Sequence, residues 1–381
     1  MSKNSSRGVD RRLFLAGSVA AAGFAPALAN AAIGDLVYYV GSYASGGGVG
    51  VTTLSYSAAY DKWTEGKKPD PTVPNASYGV YSPKLKRHYV VNEQENGLIG
   101  VYQVSTNGSK WTKKGEVSSQ GSGPCYISLD ATESYLAVAN YNSGNIAVYK
   151  LDPKSGLPLE PAIVKQNSGS GPNTDRQQGP HAHWVKFSVD QKYIYSVDLG
   201  TDEVLGYTFD AATGAVGEKF VAYKCEPGFG PRHLNLHPSG QVAHILGELE
   251  NALITLRPKG DGTFEDVQYI KTLPADFTGA SFAGHMAMND LGNILYVSNR
   301  GHNSIAVFGL DTTGRLALLQ IIPTGGDWPR FFYIIPGFDR LVVAHQKSND
   351  VTVMAQYTNG TLRAHNAKFT VAAPVFLGPV A

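Results

Sequence analysis

Short runs in which apolar and polar residues alternate recur along the chain from about residue 37 to the C-terminus. The runs are rich in Val, Ile, Leu and Tyr, and segments containing Gly, Ser, Asn or Asp separate them. Alternation over four to eight residues, bounded by turn-forming residues, is typical of β-strands. The pattern therefore predicts an all-β protein.

The predicted strands fall into two series, and each series repeats about every 50 residues. Strands of one series end at equivalent positions in seven segments, at Tyr43, Glu93, Tyr141, Leu199, Glu248, Arg300 and Gln346. Strands of the other series precede them, as Pro124–Leu129 and Pro231–Leu236 do. A repeat of this length is typical of a β-propeller blade, whereas a β-helix or a pair of β-sandwiches would not explain it. We therefore expect residues 32–381 to form one seven-bladed β-propeller with four-stranded blades.

The first repeat lacks a strand of the preceding series, because Val37–Tyr43 starts directly at the second strand. A copy of the missing strand, Pro374–Leu377, stands at the C-terminus instead. We expect this C-terminal strand to complete the first blade and close the ring. Closure removes the open sheet edges that would otherwise be exposed.

The first 31 residues have the pattern of an export signal. Arg11 and Arg12 precede an apolar run over 13–25, and small residues of the A-x-A type follow at 27–31. The run is too short to span a bilayer, and the adjacent arginines are similar to those of twin-arginine signals. We predict a twin-arginine-type signal peptide over residues 1–31, a periplasmic protein and no membrane attachment after cleavage. A general secretory signal and an uncleaved anchor are the alternatives.

Composition excludes several classes of protein. Apolar residues make up 43% of the chain and charged residues 17%, which is too apolar for a disordered chain. Lys and Arg number 32 against 31 Asp and Glu, so there is no basic excess to bind nucleic acid. Cys125 and Cys225 are too few for a zinc-finger set. We expect two buried thiols rather than a disulfide. We also expect the protein to be a monomer or a dimer.

Chemically active residues stand at matching positions of different repeats. Near the start of the innermost strands these are His181, His183, Arg232, His233, His285 and Arg330. At the end of the following strand they are Glu93, Tyr141, Glu248, Arg300 and Gln346. Because blades are related by rotation, these side chains should surround one opening of the central channel. Arginines, acids and histidines together suit an anionic or hydroxyl-rich ligand with an electrophilic carbonyl.

Two features close to His181 have competing interpretations. A His-x-His pair on a strand directs both rings to one face, so His181 and His183 could bind a metal with His285 or Glu248 as third ligand. We nevertheless expect no metal and no cofactor. The repeat that includes residues 166–178 is longer than the others, and this segment is either a flexible flap beside the site or a plain surface loop.

Several short motifs resemble those of the seven-bladed lactonase family, which includes 6-phosphogluconolactonases and carboxy-muconate lactonizing enzymes. They are Tyr39–Tyr43, Asn92-Glu93, Ala139–Tyr141, Arg176-Gln177, Pro180–His183, Asp198–Asp202, Gly230–His233, Gly247–Leu249, Ser298–Gly301 and Pro329-Arg330. The resemblance covers about residues 36–378. It implies a site formed by the second histidine of His-x-His, the arginine of Gly-Pro-Arg-His, a glutamate sixteen residues later and the arginine of Ser-Asn-Arg-Gly. Here these are His183, Arg232, Glu248 and Arg300.

The resemblance and the export signal together predict hydrolysis of a small sugar lactone, such as glucono-1,5-lactone. In architecture the chain is similar to exported, periplasmic gluconolactonases. We expect Arg232 and Arg300 to stabilise the oxyanion, and His183 to act as general base with Glu248 as its partner or its substitute. We expect the substrate to be held by His181, Glu93, His233, His285, Arg330 and Gln346. The alternatives are a 6-phosphogluconolactonase, a lactonizing isomerase and a propeller that only binds a ligand or protein.

Overall fold

The computed structural model describes residues 36–66 and 70–380, which form seven four-stranded antiparallel sheets. Blade 1 joins the last strand of the chain to the first three: β28 (Pro374–Pro379), β1 (Leu36–Ser42), β2 (Val51–Ser57) and β3 (Lys62–Glu65). Blades 2 to 4 contain β4 (Ala76–Ser82), β5 (Arg87–Asn92), β6 (Leu98–Val104), β7 (Trp111–Ser118), β8 (Pro124–Leu129), β9 (Tyr135–Asn140), β10 (Asn145–Leu151), β11 (Pro158–Gln166), β12 (Ala182–Phe187), β13 (Tyr193–Asp198), β14 (Glu203–Phe209) and β15 (Val216–Lys224). Blades 5 to 7 contain β16 (Pro231–Leu236), β17 (Ala243–Gly247), β18 (Ala252–Pro258), β19 (Phe264–Lys271), β20 (Phe282–Met288), β21 (Ile294–Arg300), β22 (Ser304–Leu310), β23 (Leu316–Pro323), β24 (Pro329–Ile334), β25 (Arg340–His345), β26 (Asp350–Gln356) and β27 (Leu362–Thr370).

The expected all-β seven-bladed propeller is therefore confirmed, and so is its closure. The C-terminal strand β28 pairs antiparallel with β1, with Gly378 opposite Tyr39 and Phe376 opposite Gly41. The first blade thus contains strands from both ends of the chain. A 3₁₀ turn, Ala44–Gly46, follows β1. The predicted signal peptide, residues 1–31, lies outside the described residues.

The hydrophobic core lies between neighbouring blades. Along β9, Tyr135, Ala137 and Ala139 pack against blade 4, whereas Leu136 and Val138 pack against blade 2. Successive side chains of a strand point to opposite faces of its sheet, so a strand between two neighbouring blades is buried on both faces. The outermost strands have only part of one face covered, and most of β11 is exposed.

Tyrosine and glycine, both abundant in this chain, meet in a contact that three blades share. The hydroxyl of Tyr89 donates to the carbonyl oxygen of Gly156 (2.6 Å), in a turn of the next blade. Tyr195 and Gly262 form the same bond (3.0 Å), as do Tyr296 and Gly360 (2.7 Å). All three glycines have a positive φ, which their turns require and which other residues adopt at a cost. Each of these bonds joins one blade to the next, and the three lie at equivalent positions of their blades.

Both cysteines are buried and unpaired, as expected from the sequence. Within residues 36–66 and 70–380, no helix is long and apolar enough to cross a membrane.

Candidate active site

Every innermost strand contains a β-bulge close to its start, and the bulge places a side chain at the central channel. In β12, Ala182 lies opposite Asp198 and Trp184 opposite Val197, so His183 is the extra residue. Arg232 is the extra residue of β16, and Arg330 that of β24. Equivalent shifts occur at Ser77-Tyr78, Cys125, Gly284-His285 and Val375. Bulges re-aim side chains, and here they bring bulge residues of six blades to one cavity.

The bulge residues and their neighbours surround a cavity of about 20 Å³. Its lining comprises Ser77, Tyr78, Glu93, Cys125, His183, Arg232, His233, Arg330, Phe331 and Val375. A cavity of this volume holds about one water molecule. The cavity as it stands has no room for a ligand larger than water.

Glu248 lies at the centre of the polar cluster, and three arginines bind its carboxylate. The residue follows β17 directly and is 2% exposed. Its Oε2 accepts from Nη1 of Arg232 (2.7 Å) and lies 3.1 Å from Nη2 of Arg300. Its Oε1 accepts from Nη2 of Arg176 (2.6 Å). Burial raises the pKa of Glu248, but the three guanidinium groups outweigh burial and hold that pKa well below its usual value. Glu248 is therefore ionised at neutral pH.

Backbone carbonyls at the start of β20 hold two of these arginines in place. Nη2 of Arg300 donates to the carbonyl oxygen of Ala283 (2.7 Å), and Nε donates to that of Phe282 (3.3 Å). Nε of Arg232 donates to the carbonyl oxygen of Gly284. Both guanidinium groups are thus fixed by protein contacts.

His183 contacts Arg232 directly. Its Nε2 touches Nη1 of Arg232, and because a guanidinium nitrogen can only donate, Nε2 must accept. The hydrogen of the neutral ring is then on Nδ1, which faces the sulfur of Cys125 at 3.7 Å. Burial lowers the pKa of His183 well below its usual value, and the charge of Arg232 lowers it further. The imidazole is therefore neutral, with its lone pair on Nε2.

A second polar chain lies across the channel from Glu248. Nη2 of Arg330 donates to the hydroxyl of Tyr43 (2.7 Å), and this hydroxyl donates to Oε2 of Glu93 (2.7 Å). Residues of blades 1, 2 and 7 are thereby joined at the channel mouth. With Arg176, Arg232 and Arg300, the site brings four guanidinium groups to two carboxylates, so its net charge is positive.

The other sequence-predicted residues lie around this cluster at different levels. The ring of His181 stacks on Tyr141 (4.4 Å between centroids), and its Nδ1 lies 2.9 Å from the carbonyl oxygen of Tyr141. His233 lies between the rings of His183 (5.6 Å) and His285 (5.4 Å). Burial lowers the pKa of His285 to about 3. Gln346 has a buried Oε1 without a hydrogen-bond partner in the part of the chain that the structure describes.

Three of the four side chains considered for metal binding, those of His181, His183 and Glu248, have other partners. His181 precedes β12 and His183 is at the bulge, so the two do not belong to one regular strand as the His-x-His interpretation assumed. Arg232 contacts both His183 and Glu248. Across residues 36–66 and 70–380, no group of three or more His, Cys, Asp or Glu side chains is placed to hold a metal ion.

Sequence reasoning missed two members of the cluster, Arg176 and Tyr43. Arg176 lies in the long segment between β11 and β12, for which we expected either a flexible flap or a plain surface loop. The segment is a largely exposed loop, but buried hydrogen bonds of Asn167 and Gln177 attach it to the propeller, and from it Arg176 reaches Glu248. The Arg176-Gln177 motif was the only signal for it in the sequence. Tyr43 was identified only as the end of a predicted strand. Its position in the first repeat is equivalent to that of Glu93 in the second, and this equivalence was the signal that could have placed it in the site.

Comparison with known proteins agrees with this architecture. Residues 37–379 match the family model described as lactonase, 7-bladed beta-propeller. A Bacillus subtilis protein named 6-phosphogluconolactonase is 30% identical over 318 residues, covering 83% of this chain and 89% of that protein.

Two solved structures extend this likeness. The Pseudomonas aeruginosa periplasmic gluconolactonase has a TM-score of 0.84 at 26% identity, covering 91% of this chain and 99% of that one. A putative 6-phosphogluconolactonase from Bacteroides fragilis has a TM-score of 0.80 at 28% identity, covering 91% and 98%. The family match spans nearly all of the described residues, and the chain therefore belongs to the seven-bladed β-propeller lactonase family.

Proposed function

We propose that this protein hydrolyses a sugar lactone of the glucono-1,5-lactone type to the aldonic acid. The observation that carries the proposal is the position of Arg232, whose Nη1 contacts both His183 and Glu248 beside the cavity. Arg232, a fixed cation, and His183, a neutral imidazole, line a space that admits one water molecule, and the ionised carboxylate of Glu248 holds Arg232 in place. Such a set can polarise a carbonyl and accept a proton from water. Membership of the lactonase family supports a lactone hydrolase.

In the proposed reaction the lactone carbonyl oxygen lies against Arg232 and Arg300. Water adds to the carbonyl carbon, its proton passes to Nε2 of His183, and the negative charge on oxygen is stabilised by the two guanidinium groups. Donors of this kind contribute about 3 kcal/mol each. The tetrahedral intermediate then collapses, the ring C–O bond breaks and the ring oxygen takes the proton from His183. The products are the carboxylic acid and a free hydroxyl, and no cofactor is needed.

His183 can accept a proton only when its Nε2 is free. In the structure Nε2 contacts Arg232, so we infer that the substrate carbonyl replaces His183 as an acceptor for this guanidinium. Substrate binding would then expose the lone pair when the water needs it. Glu248 is less suited to the role of base, because both of its oxygens accept from arginines. Its proposed role is to hold the cations.

We propose that the remaining residues bind the sugar. Glu93 and Arg330, linked by Tyr43, present an acceptor and a donor suited to neighbouring hydroxyl groups. His181 stacks on Tyr141, His233 lies between the rings of His183 and His285, and Gln346 has an amide oxygen without a hydrogen-bond partner in the described part of the chain.

A phosphorylated lactone is a second candidate, favoured by the net positive charge of the site. Four arginines and two glutamates attract an anion, and arginine pairs well with phosphate. The name of the Bacillus subtilis relative agrees with this candidate.

We propose that the protein acts in the periplasm after export by the twin-arginine route. Arg11, Arg12 and the apolar run over 13–25 support export. The Pseudomonas aeruginosa relative described as periplasmic supports the location. Cell fractionation with N-terminal sequencing of the mature chain tests this proposal. The double substitution Arg11→Lys and Arg12→Lys should block export, and continued export of that variant would contradict the route.

The test of function is proton release from fresh lactones at constant pH, corrected for spontaneous hydrolysis. We expect acceleration with glucono-1,5-lactone. Faster hydrolysis of 6-phosphoglucono-1,5-lactone would favour the second candidate. Conversion of a muconate to a lactone without hydrolysis would indicate an isomerase. No acceleration with any of them would leave a binding propeller and overturn the proposal.

A further inference from the structure

The segment between β11 and β12 is fixed to the propeller by buried polar side chains at two points. At one point Nδ2 of Asn167 donates to Oδ2 of Asp198 (2.7 Å), and its Oδ1 accepts from the hydroxyl of Tyr207 (3.1 Å). Asn167 is 3% exposed. Detaching this end would leave buried polar groups without partners, which is costly.

At the second point, Gln177 is fully buried. Its Nε2 donates to the carbonyl oxygen of Leu199 (2.9 Å) and to Oδ1 of Asp202 (2.8 Å). Oε1 accepts from the backbone nitrogen of Asn173 (3.1 Å), so Gln177 also ties the segment to itself. The segment is therefore attached to the propeller at both ends, by Asn167 and by Gln177.

Arg176 immediately precedes Gln177 and is aimed by a turn. The side-chain oxygen of Asn173 accepts from the backbone nitrogen of Arg176 (3.1 Å). The backbone carbonyl oxygen of Asn173 accepts from the backbone nitrogen of Gln177 (2.7 Å). The arginine side chain then reaches Glu248, 72 residues further along the chain. Its guanidinium carbon lies 5.7 Å from the centre of the Phe282 ring.

Arg176 has a different relation to Glu248 from the other two arginines. Arg232 and Arg300 both contact Oε2, whereas Arg176 contacts Oε1. Contacts on both oxygens fix the orientation of the carboxylate plane, which contacts on Oε2 alone would not. The Arg176 side chain is also 32% exposed, against 6% for Arg232 and 5% for Arg300.

We propose that Arg176 is a positioning residue. The segment attached at Asn167 and Gln177 places the Arg176 guanidinium against Oε1 of Glu248. The carboxylate of Glu248, oriented in this way, holds Arg232 and Arg300 in their working orientation. The proposal rests on the proposed function in that Glu248 belongs to the reacting site. Arg176 acts through Glu248 and need not touch the substrate.

The test compares Arg176→Gln with Arg176→Lys, using Arg363→Gln, an exposed position on the outer strand β27, as a matched control. We expect Arg176→Gln to lower kcat by about tenfold or more, as expected for the loss of a charge-assisted hydrogen bond. KM should change less, because Arg176 acts through Glu248. Arg176→Lys should recover part of the activity, and the control should behave as the unsubstituted protein.

A second measurement separates this proposal from the proposed function. Carbon-13 labelling of glutamate carboxyls, with Glu248→Gln to assign the signal, reports the state of Glu248 even in a protein without lactonase activity. We expect the Glu248 signal to shift at neutral pH in Arg176→Gln, and its titration to move to higher pH. A signal and titration identical to those of the unsubstituted protein would overturn the positioning role. Absence of lactone hydrolysis with a shifted signal would overturn the proposed function alone.

Discussion

Glu248→Gln should destabilise the protein by an amount large for a single substitution. The carboxylate is 2% exposed and has guanidinium nitrogens at 2.6, 2.7 and 3.1 Å. A neutral amide keeps the shape but leaves these cations without their shared anion. Removing one partner of a buried ion pair costs about 3–5 kcal/mol. For a domain of roughly 350 residues, with about 2.1 cal/mol/K of unfolding entropy per residue, this corresponds to a fall in Tm of about 4–7 °C.

The effect should depend on pH in one direction. The pKa of Glu248 is lower in the folded protein than its usual value of 4.5. Its contribution to stability is therefore complete above pH 4.5 and is lost as the pH falls through the lower, folded-state pKa. The difference in Tm between the unsubstituted protein and Glu248→Gln should be largest near neutral pH and should narrow in acid.

Differential scanning calorimetry from pH 8 down to well below pH 4.5 measures both effects. The control is Glu265→Gln, which removes an exposed carboxylate 3.6 Å from Arg257. Exposed ion pairs contribute about 0–1 kcal/mol, so the control should unfold close to the unsubstituted protein. If the Tm of Glu248→Gln equals that of the control at neutral pH, the contacts of Glu248 with the three arginines do not stabilise the protein.

Three further predictions concern other parts of the site and fold. Tyr43→Phe removes the bridge between Arg330 and Glu93 and should raise KM several-fold with little change in Tm; steady-state kinetics check this, and an unchanged KM would contradict it. Since the pKa of His183 is held below 6.5, its basic form persists on acidification, and the acid limb of kcat/KM should lie below pH 6.5; a pH-stat profile with a limb at or above pH 6.5 would refute the assignment. Deleting residues 374–381 removes β28 and opens blade 1; we expect insoluble protein or non-cooperative unfolding by circular dichroism, and cooperative unfolding at the original Tm would contradict ring closure.

The fold could be predicted from sequence because its information is periodic. A repeat of about 50 residues fixes the number of blades, and the missing first strand identifies the strand at Pro374 as the one that closes the ring. The same periodicity predicts that residues at matching positions share one opening. His183, Arg232, Glu248 and Arg300 indeed meet there.

The contacts within the site could not be predicted in the same way. The bulges depend on strand register, and alternation alone gives no signal for one extra residue at His183 or Arg232. The sequence suggested Glu248 as a partner of His183, but Arg232 contacts both. Arg176 reaches Glu248 through a segment without repeat symmetry, so its position follows from long-range hydrogen bonds of Asn167 and Gln177.

Proton release from glucono-1,5-lactone by the mature protein, beside Arg232→Ala, tests the central claim most directly. Both proteins should first be shown to have the same circular dichroism spectrum, and EDTA should be included in a parallel reaction. We expect hydrolysis well above the spontaneous rate, unaffected by EDTA, and a loss of about 100-fold or more in Arg232→Ala, as for removal of an oxyanion donor. Full activity in a folded Arg232→Ala protein would contradict the proposed site.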